Sequence, residues 1–153
     1  MSPSTAAPAF PSARLHSEIL GLLEVPADHL FTFPEGLMGF PECRRYALVP
    51  GAPGVYWLQS LEHPSLTFLL ADPFRFVPGY FLEVDIPGVR AQEGLAVLAI
   101  VTLPRREGAT ATVNLQGPVL FHFGDGSARQ LVLPQGEWGV RHPIDLAAVP
   151  SGA

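Results

Sequence analysis

Proline and glycine interrupt this chain too often for long helices. There are 17 Pro and 15 Gly among 153 residues. Proline removes a backbone donor and clashes with the preceding helical turn, and glycine gives up more chain entropy than any other residue. A helical bundle does not fit that punctuation. Yet 48% of the residues are hydrophobic, too many for a disordered chain. That is enough for one core without a disulfide or metal staple. Short apolar runs between Pro/Gly turns point to an all-β fold: a small antiparallel β-barrel or sandwich, one domain, with at most one short helix.

The runs can be followed along the chain. Residues 1–16 are rich in Pro, Ala and Ser and read as a flexible tail. The β domain covers 17–146, and 147–153 reads as a loose C-terminus. Expected strands are Glu18–Val25, His29–Phe33, Arg45–Val49, Val55–Leu61, Leu66–Ala71, Tyr80–Val84, Leu95–Leu103, Thr110–Leu115 and Pro118–Phe123. Gly124-Asp125-Gly126 is a hairpin signal leading into Gln130–Leu133. In the Val55–Leu61 run Val55, Trp57, Gln59 and Leu61 share one face, with Tyr56, Leu58 and Ser60 on the other. Leu95–Leu103 is apolar at both parities, which predicts a central strand covered on both faces. The one expected helical stretch lies within Pro87–Gly94.

Composition removes several chemistries. The chain has no Lys, so a P-loop or Schiff-base lysine is excluded. The formal net charge is -5, with no basic cluster to neutralise phosphates, which argues against direct nucleic-acid binding. The single cysteine, Cys43, permits no internal disulfide. Its neighbours Arg44 and Arg45 offer one way to lower its pKa, beside the commoner reading of a small surface or half-buried residue. No apolar run reaches membrane-span length, and the N-terminus lacks a secretory pattern, so the expected location is the cytoplasm. No histidines stand at metal-binding spacing, and no nucleophile elbow or dinucleotide fingerprint occurs. His122, between Phe121 and Phe123, is the one candidate base, and Glu83 with Asp85 the one same-face carboxylate pair. Gln59, Ser60, Thr102 and Asn114 lie inside apolar segments, where buried polar groups need partners within the fold.

Six segments, in order, resemble the flagellar assembly factor FliW family. Phe33-Pro34-Glu35-Gly36-Leu37-Met38-Gly39-Phe40 resembles its F-P-E-G-(I/L)-P-G-F opening, with Met38 where the family usually has Pro. Tyr56-Trp57-Leu58-Gln59-Ser60-Leu61 resembles its W-L-Q-S strand, and Leu69-Leu70-Ala71-Asp72-Pro73 the segment after it. Val97 to Thr102 matches its apolar strand, Thr112 to Pro118 its T-x-N-L-x-x-P, and Arg141-His142-Pro143-Ile144 its closing R-H-P-L. Departures are the missing lysines and a short Tyr80–Glu93 stretch.

The resemblance implies a cytoplasmic β-barrel with no enzymatic activity, cofactor or metal. It implies two protein partners, the translational regulator CsrA and flagellin, with CsrA held off flagellin mRNA until flagellin displaces it. The family-motif positions are Phe33, Pro34, Glu35, Gly36, Gly39, Phe40, Trp57, Gln59, Ser60, Asn114 and Arg141. Of these Gly36 and Gly39 are expected to supply turn dihedrals, Phe40 and Trp57 to pack, Asn114 to brace a strand end, and Arg141 to face solvent. Two rivals stand beside this reading. One is a barrel with an apolar ligand inside, which a core filled by Trp57, Phe68 and Phe121 would count against. The other is a small barrel enzyme built on His122.

Overall fold

The computed structural model describes residues 12–80, 94–106, 109–133 and 138–146. Strands β1 (Ser12–Ser17) and β2 (Gly21–Pro26) form a separate antiparallel hairpin. Then come β3 (Leu30–Thr32), β4 (Arg45–Pro50), β5 (Val55–Ser60), β6 (Thr67–Ala71), helix α1 (Pro73–Phe76), β7 (Leu95–Thr102), β8 (Ala111–Val113), β9 (Val119–His122), β10 (Ser127–Gln130) and β11 (His142–Ile144). From β3 to β7 each strand pairs antiparallel with the next. β9 pairs with the first half of β7, β10 pairs with β9, and β10 meets β3. The circuit β3-β4-β5-β6-β7-β9-β10 is therefore a closed barrel. Its last seam is parallel, a single bridge from Ser127 to Thr32, where the sequence had suggested antiparallel pairing throughout.

β7 explains why its sequence is apolar at both parities. Ala96, Leu98 and Ile100 point into the barrel. Ala99 and Val101 join a second cluster outside it, with Val113, Leu115, Ile144 and Tyr80. Leu95 and Val97 cover Leu120 and Leu131 in a third. β5 divides in the same way: Tyr56 and Leu58 face inward, Val55 and Trp57 outward. The interior holds Phe31, Phe33, Leu37, Tyr46, Leu48, Leu58, Leu70, Leu98, Val119 and Phe121, all buried. Phe68 packs at its margin, whereas Trp57 sits half-buried in the outer cluster rather than filling the core. An interior packed with these side chains counts against the ligand-barrel reading.

Several expectations need correction. β1 begins at Ser12, inside the span read as tail, and the strand expected over Glu18–Val25 is instead a turn over 18–20 followed by β2. Only Ala13 and Leu15 mark the inward parity of β1, too few to read as a strand. Ser17 is buried, and its Oγ accepts from the Ile19 and Leu20 amides, closing the turn. Asp72-Pro73 reads as a turn, yet it opens α1: the Asp72 carboxylate caps the Phe74 amide at 3.0 Å and Pro73 takes the first helical position. β10 begins at Ser127, three residues before the expected Gln130. The helix expected within Pro87–Gly94, the strand over 81–84 and the C-terminus from 147 lie outside the described residues, apart from Gly94, which forms a turn.

The barrel interior depends most visibly on an aromatic cluster. Phe121 stands edge-on to Phe31 at 5.0 Å and to Phe33 at 6.0 Å and is fully buried. Phe121→Ala should cost about 3–5 kcal/mol, the transfer term plus the cavity left behind. Urea denaturation would show this as a lower midpoint with an unchanged slope.

Candidate functional site

The Phe33–Phe40 segment leaves β3 and folds into a tight double turn. The Phe33 amide donates to Arg44 O at 2.6 Å, Gly36 N to Phe33 O at 3.0 Å, and Phe40 N to Leu37 O at 2.8 Å. Phe33 and Leu37 go into the core, and Phe40 stands edge-on to Phe68 at 5.4 Å. Pro34, Glu35 and Met38 stay on the surface. Gly36 has φ +68°, and a Cβ there would lie 2.6 Å from Phe40 O and 2.7 Å from Pro41 Cα. Gly39 has φ +90° but open space around it. The first glycine is thus needed for conformation and room, the second for conformation alone.

A second motif meets this loop through a residue that no motif marks. The chain from β8 to β9 runs antiparallel along one edge of β7 and is interrupted by a corner at 114–118. Asn114 Oδ1 holds that corner, accepting from Gln116 N at 3.1 Å and Gly117 N at 2.9 Å. Tyr80 donates its hydroxyl to Leu115 O at 2.9 Å from outside. Gln130, on β10, then donates through Nε2 to Gly117 O at 3.0 Å and accepts the Met38 amide at Oε1, 2.9 Å. A proline in place of Met38 would have no N–H, so the Met38–Gln130 bond needs another residue type here. Between the loop and β10 lies a surface groove of about 530 Å³, lined by Pro34 to Gly39, Pro41 and Arg129 to Val132.

The remaining motif residues sit elsewhere. Gln59 and Ser60 are buried at the end of β5. Gln59 Nε2 donates to the carbonyls of Ser60, His63 and Pro64, and its Oε1 accepts from Thr67. Ser60 Oγ accepts from the amides of Glu62 and His63. Both therefore brace the 61–66 turn. Trp57 packs in the outer cluster, and Arg141 is exposed. Cys43 is buried, and burial raises its thiol pKa, with Glu42 and Glu62 adding to the effect. Arg44 and Arg45 do not lower it, because those side chains lie exposed while the thiol turns inward, and the residue is fully buried, neither on the surface nor half-buried. Burial likewise raises Tyr46, and pushes Tyr80 up to about 12.

His122 is half-exposed at the end of β9, with Nδ1 3.3 Å from Asp125 Oδ1. Ser127 Oγ donates to that same oxygen at 2.6 Å. The carboxylate thus stands between hydroxyl and imidazole, and the hydroxyl proton is committed to it. A nucleophile–base pair needs the hydroxyl on the imidazole. These bonds from Ser127 are the main reason the Asp125 carboxyl lies below its ordinary pKa, with His122 a smaller contributor. Glu83 and Asp85 lie outside the described residues. Among the described residues no cluster of His, Cys, Asp or Glu could hold a metal ion, and no helix is long and apolar enough to cross a membrane.

A closed, packed barrel with a surface groove beside a glycine-dependent loop defines the class: a small all-β barrel protein. The FliW protein family model matches residues 14–144, and the chain belongs to that family. Flagellar assembly factor FliW of Natranaerobius thermophilus is 35% identical over 138 residues, covering 86% of this chain and 91% of the relative. The protein of the same name from Treponema denticola is 35% identical over 136 residues, covering 85% and 92%. A crystal structure of the flagellar assembly factor FliW superposes with a TM-score of 0.74, covering 86% of this chain and 96% of the other at 23% identity, a likeness of fold.

Two predictions follow from this geometry. Gly36→Ala meets the Phe40–Pro41 backbone and should destabilise the protein well beyond the about 1–2 kcal/mol of left-handed strain expected for Gly39→Ala. Chemical denaturation of both variants checks the order. Tyrosine burial sets the second. A phenol whose folded pKa exceeds its unfolded value of about 10 adds stability that is complete below that pH. For Tyr80 it should be lost as pH rises from about 10 through about 12. Urea midpoints measured at stepped pH should fall across that window, and less steeply in Tyr80→Phe.

Proposed function

We propose that this protein is a non-catalytic cytoplasmic regulator that couples the amount of flagellin to its translation. It binds a CsrA-type translational regulator and keeps it from flagellin mRNA. Flagellin is the alternative partner: as it accumulates it takes the protein away, the regulator is released, and synthesis falls. The observation that carries this reading is the family match across residues 14–144. Charge supports it, since a chain of net charge -5 would be steered towards a basic RNA-binding regulator. The groove beside the Phe33–Phe40 loop gives surface on which a protein partner can rest.

The test is a titration of CsrA into the protein at several fixed flagellin concentrations. Binding of each partner must weaken the other by the same factor. Overlapping sites make the apparent CsrA affinity fall in proportion to flagellin without limit. Coupled sites make it plateau, typically after a change of about 5–150-fold. Steered association should also slow as salt rises, because the Debye length falls to about 3 Å at 1 M. A ternary complex with unchanged CsrA affinity would refute the exchange, and absence of CsrA binding at low salt would refute the antagonism.

A further inference from the structure

Among the described residues, the main chain of β10 is hydrogen-bonded on one side only once past its seam with β3. Its ladder with β9 runs from Ser127↔His122 to Gln130↔Val119, and continues as Leu131 N to Pro118 O at 2.7 Å and Leu133 N to Gln116 O at 2.8 Å. Successive residues of a strand aim their main-chain groups to opposite sides. The amides and carbonyls of Gln130 and Val132 therefore point away from β9. On that side β10 meets β3 at Ser127↔Thr32 alone, because β3 ends there and the chain turns off into the Phe33–Phe40 loop. Among the described residues no strand covers the edge from Gln130 to Val132. It looks across the groove, with Met38 62% and Val132 71% exposed on its two walls.

We propose that this edge receives an extended, uncharged, apolar segment of a protein partner, which lies in the groove and adds to β10 as a further strand. An open edge presents donors and acceptors at strand spacing, a pattern that extended main chain satisfies. Pro34, Met38 and Val132 offer apolar contact to its side chains. Among the described residues the charges on the groove are one glutamate, Glu35, and one arginine, Arg129, which together favour neither sign of partner. Eleven described residues line it, short of the roughly 20–30 a side of a stable domain interface. That footprint suits a segment and not a second copy of the chain. The inference rests on the proposed function and gives a seat to flagellin, since a basic regulator would find no acidic excess here.

The experiment uses purified flagellin and CsrA against the full chain and two variants. Val132→Pro removes an amide from the open edge while leaving the β9 bonds of Leu131 and Leu133, and proline is compatible with an edge strand. Val132→Ala trims the side chain alone. Flagellin affinity should fall by roughly tenfold in Val132→Pro, equivalent to about 1.4 kcal/mol, and by less in Val132→Ala, with CsrA affinity unchanged in both. Independently of any variant, NMR amide exchange should show Gln130 and Val132 becoming protected in the wild-type flagellin complex, with Leu131 and Leu133 already protected without it. Wild-type binding in which these two amides exchange at the free rate, or Val132→Pro binding as well as wild type, would overturn the edge while leaving the proposed function standing. Failure of the wild-type chain to bind flagellin would overturn both.

Discussion

The barrel closes because one edge of β7 is shared. β9 takes its first half, from Leu95 to Leu98, and β8 takes Val101 and Thr102. A single run of chain does both, stepping outward between them at the Asn114–Pro118 corner. If that run had continued straight, β8 and β9 would have been one long strand, with no projecting corner for Tyr80 and Gln130 to grip. The two Asn114 hydrogen bonds at the corner are therefore structural in the strict sense. They satisfy amides that the interruption takes out of the ladder.

The groove inherits its shape from this arrangement. One wall is the loop that Gly36 allows to fold back on Phe40 and Pro41, the other the end of β10. Gln130 ties the two together, using both ends of its amide. The half-buried amide has one partner on each side, so the loop cannot drift from the corner without leaving a polar group unsatisfied.

Period-two patterning was legible wherever both parities carried several large residues, as in β5 and β7. It was not legible in β1, where Ala13 and Leu15 are its only apolar residues. Helix α1 escaped because four residues show no periodicity, although Asp followed by Pro is the start signal that its capping bond realises. The site was half legible. The glycines and Asn114 stand in motifs whose local dihedrals and turns explain them. Gln130 could not be found that way, because its partners lie 92 and 13 residues distant and meet only in the closed barrel. The burial of Cys43 was not legible for the converse reason: adjacency to two arginines in sequence says nothing about which side of the chain each side chain takes.

The parallel seam between Thr32 and Ser127 has a consequence for how the chain folds. Its two strands are joined across most of the domain, while nearly every other barrel pairing links near neighbours in sequence. Loop-closure entropy must be met before so distant a contact returns anything, and topologies dominated by such contacts fold slowly. Strands β3 to β7 can pair in order as they are synthesised, but they remain an open, curling sheet with β3 uncovered on one edge. Only when the β9–β10 hairpin arrives can the sheet roll shut, so during synthesis the free side of β3 is the exposed strand that a chaperone or a neighbouring nascent chain would meet first.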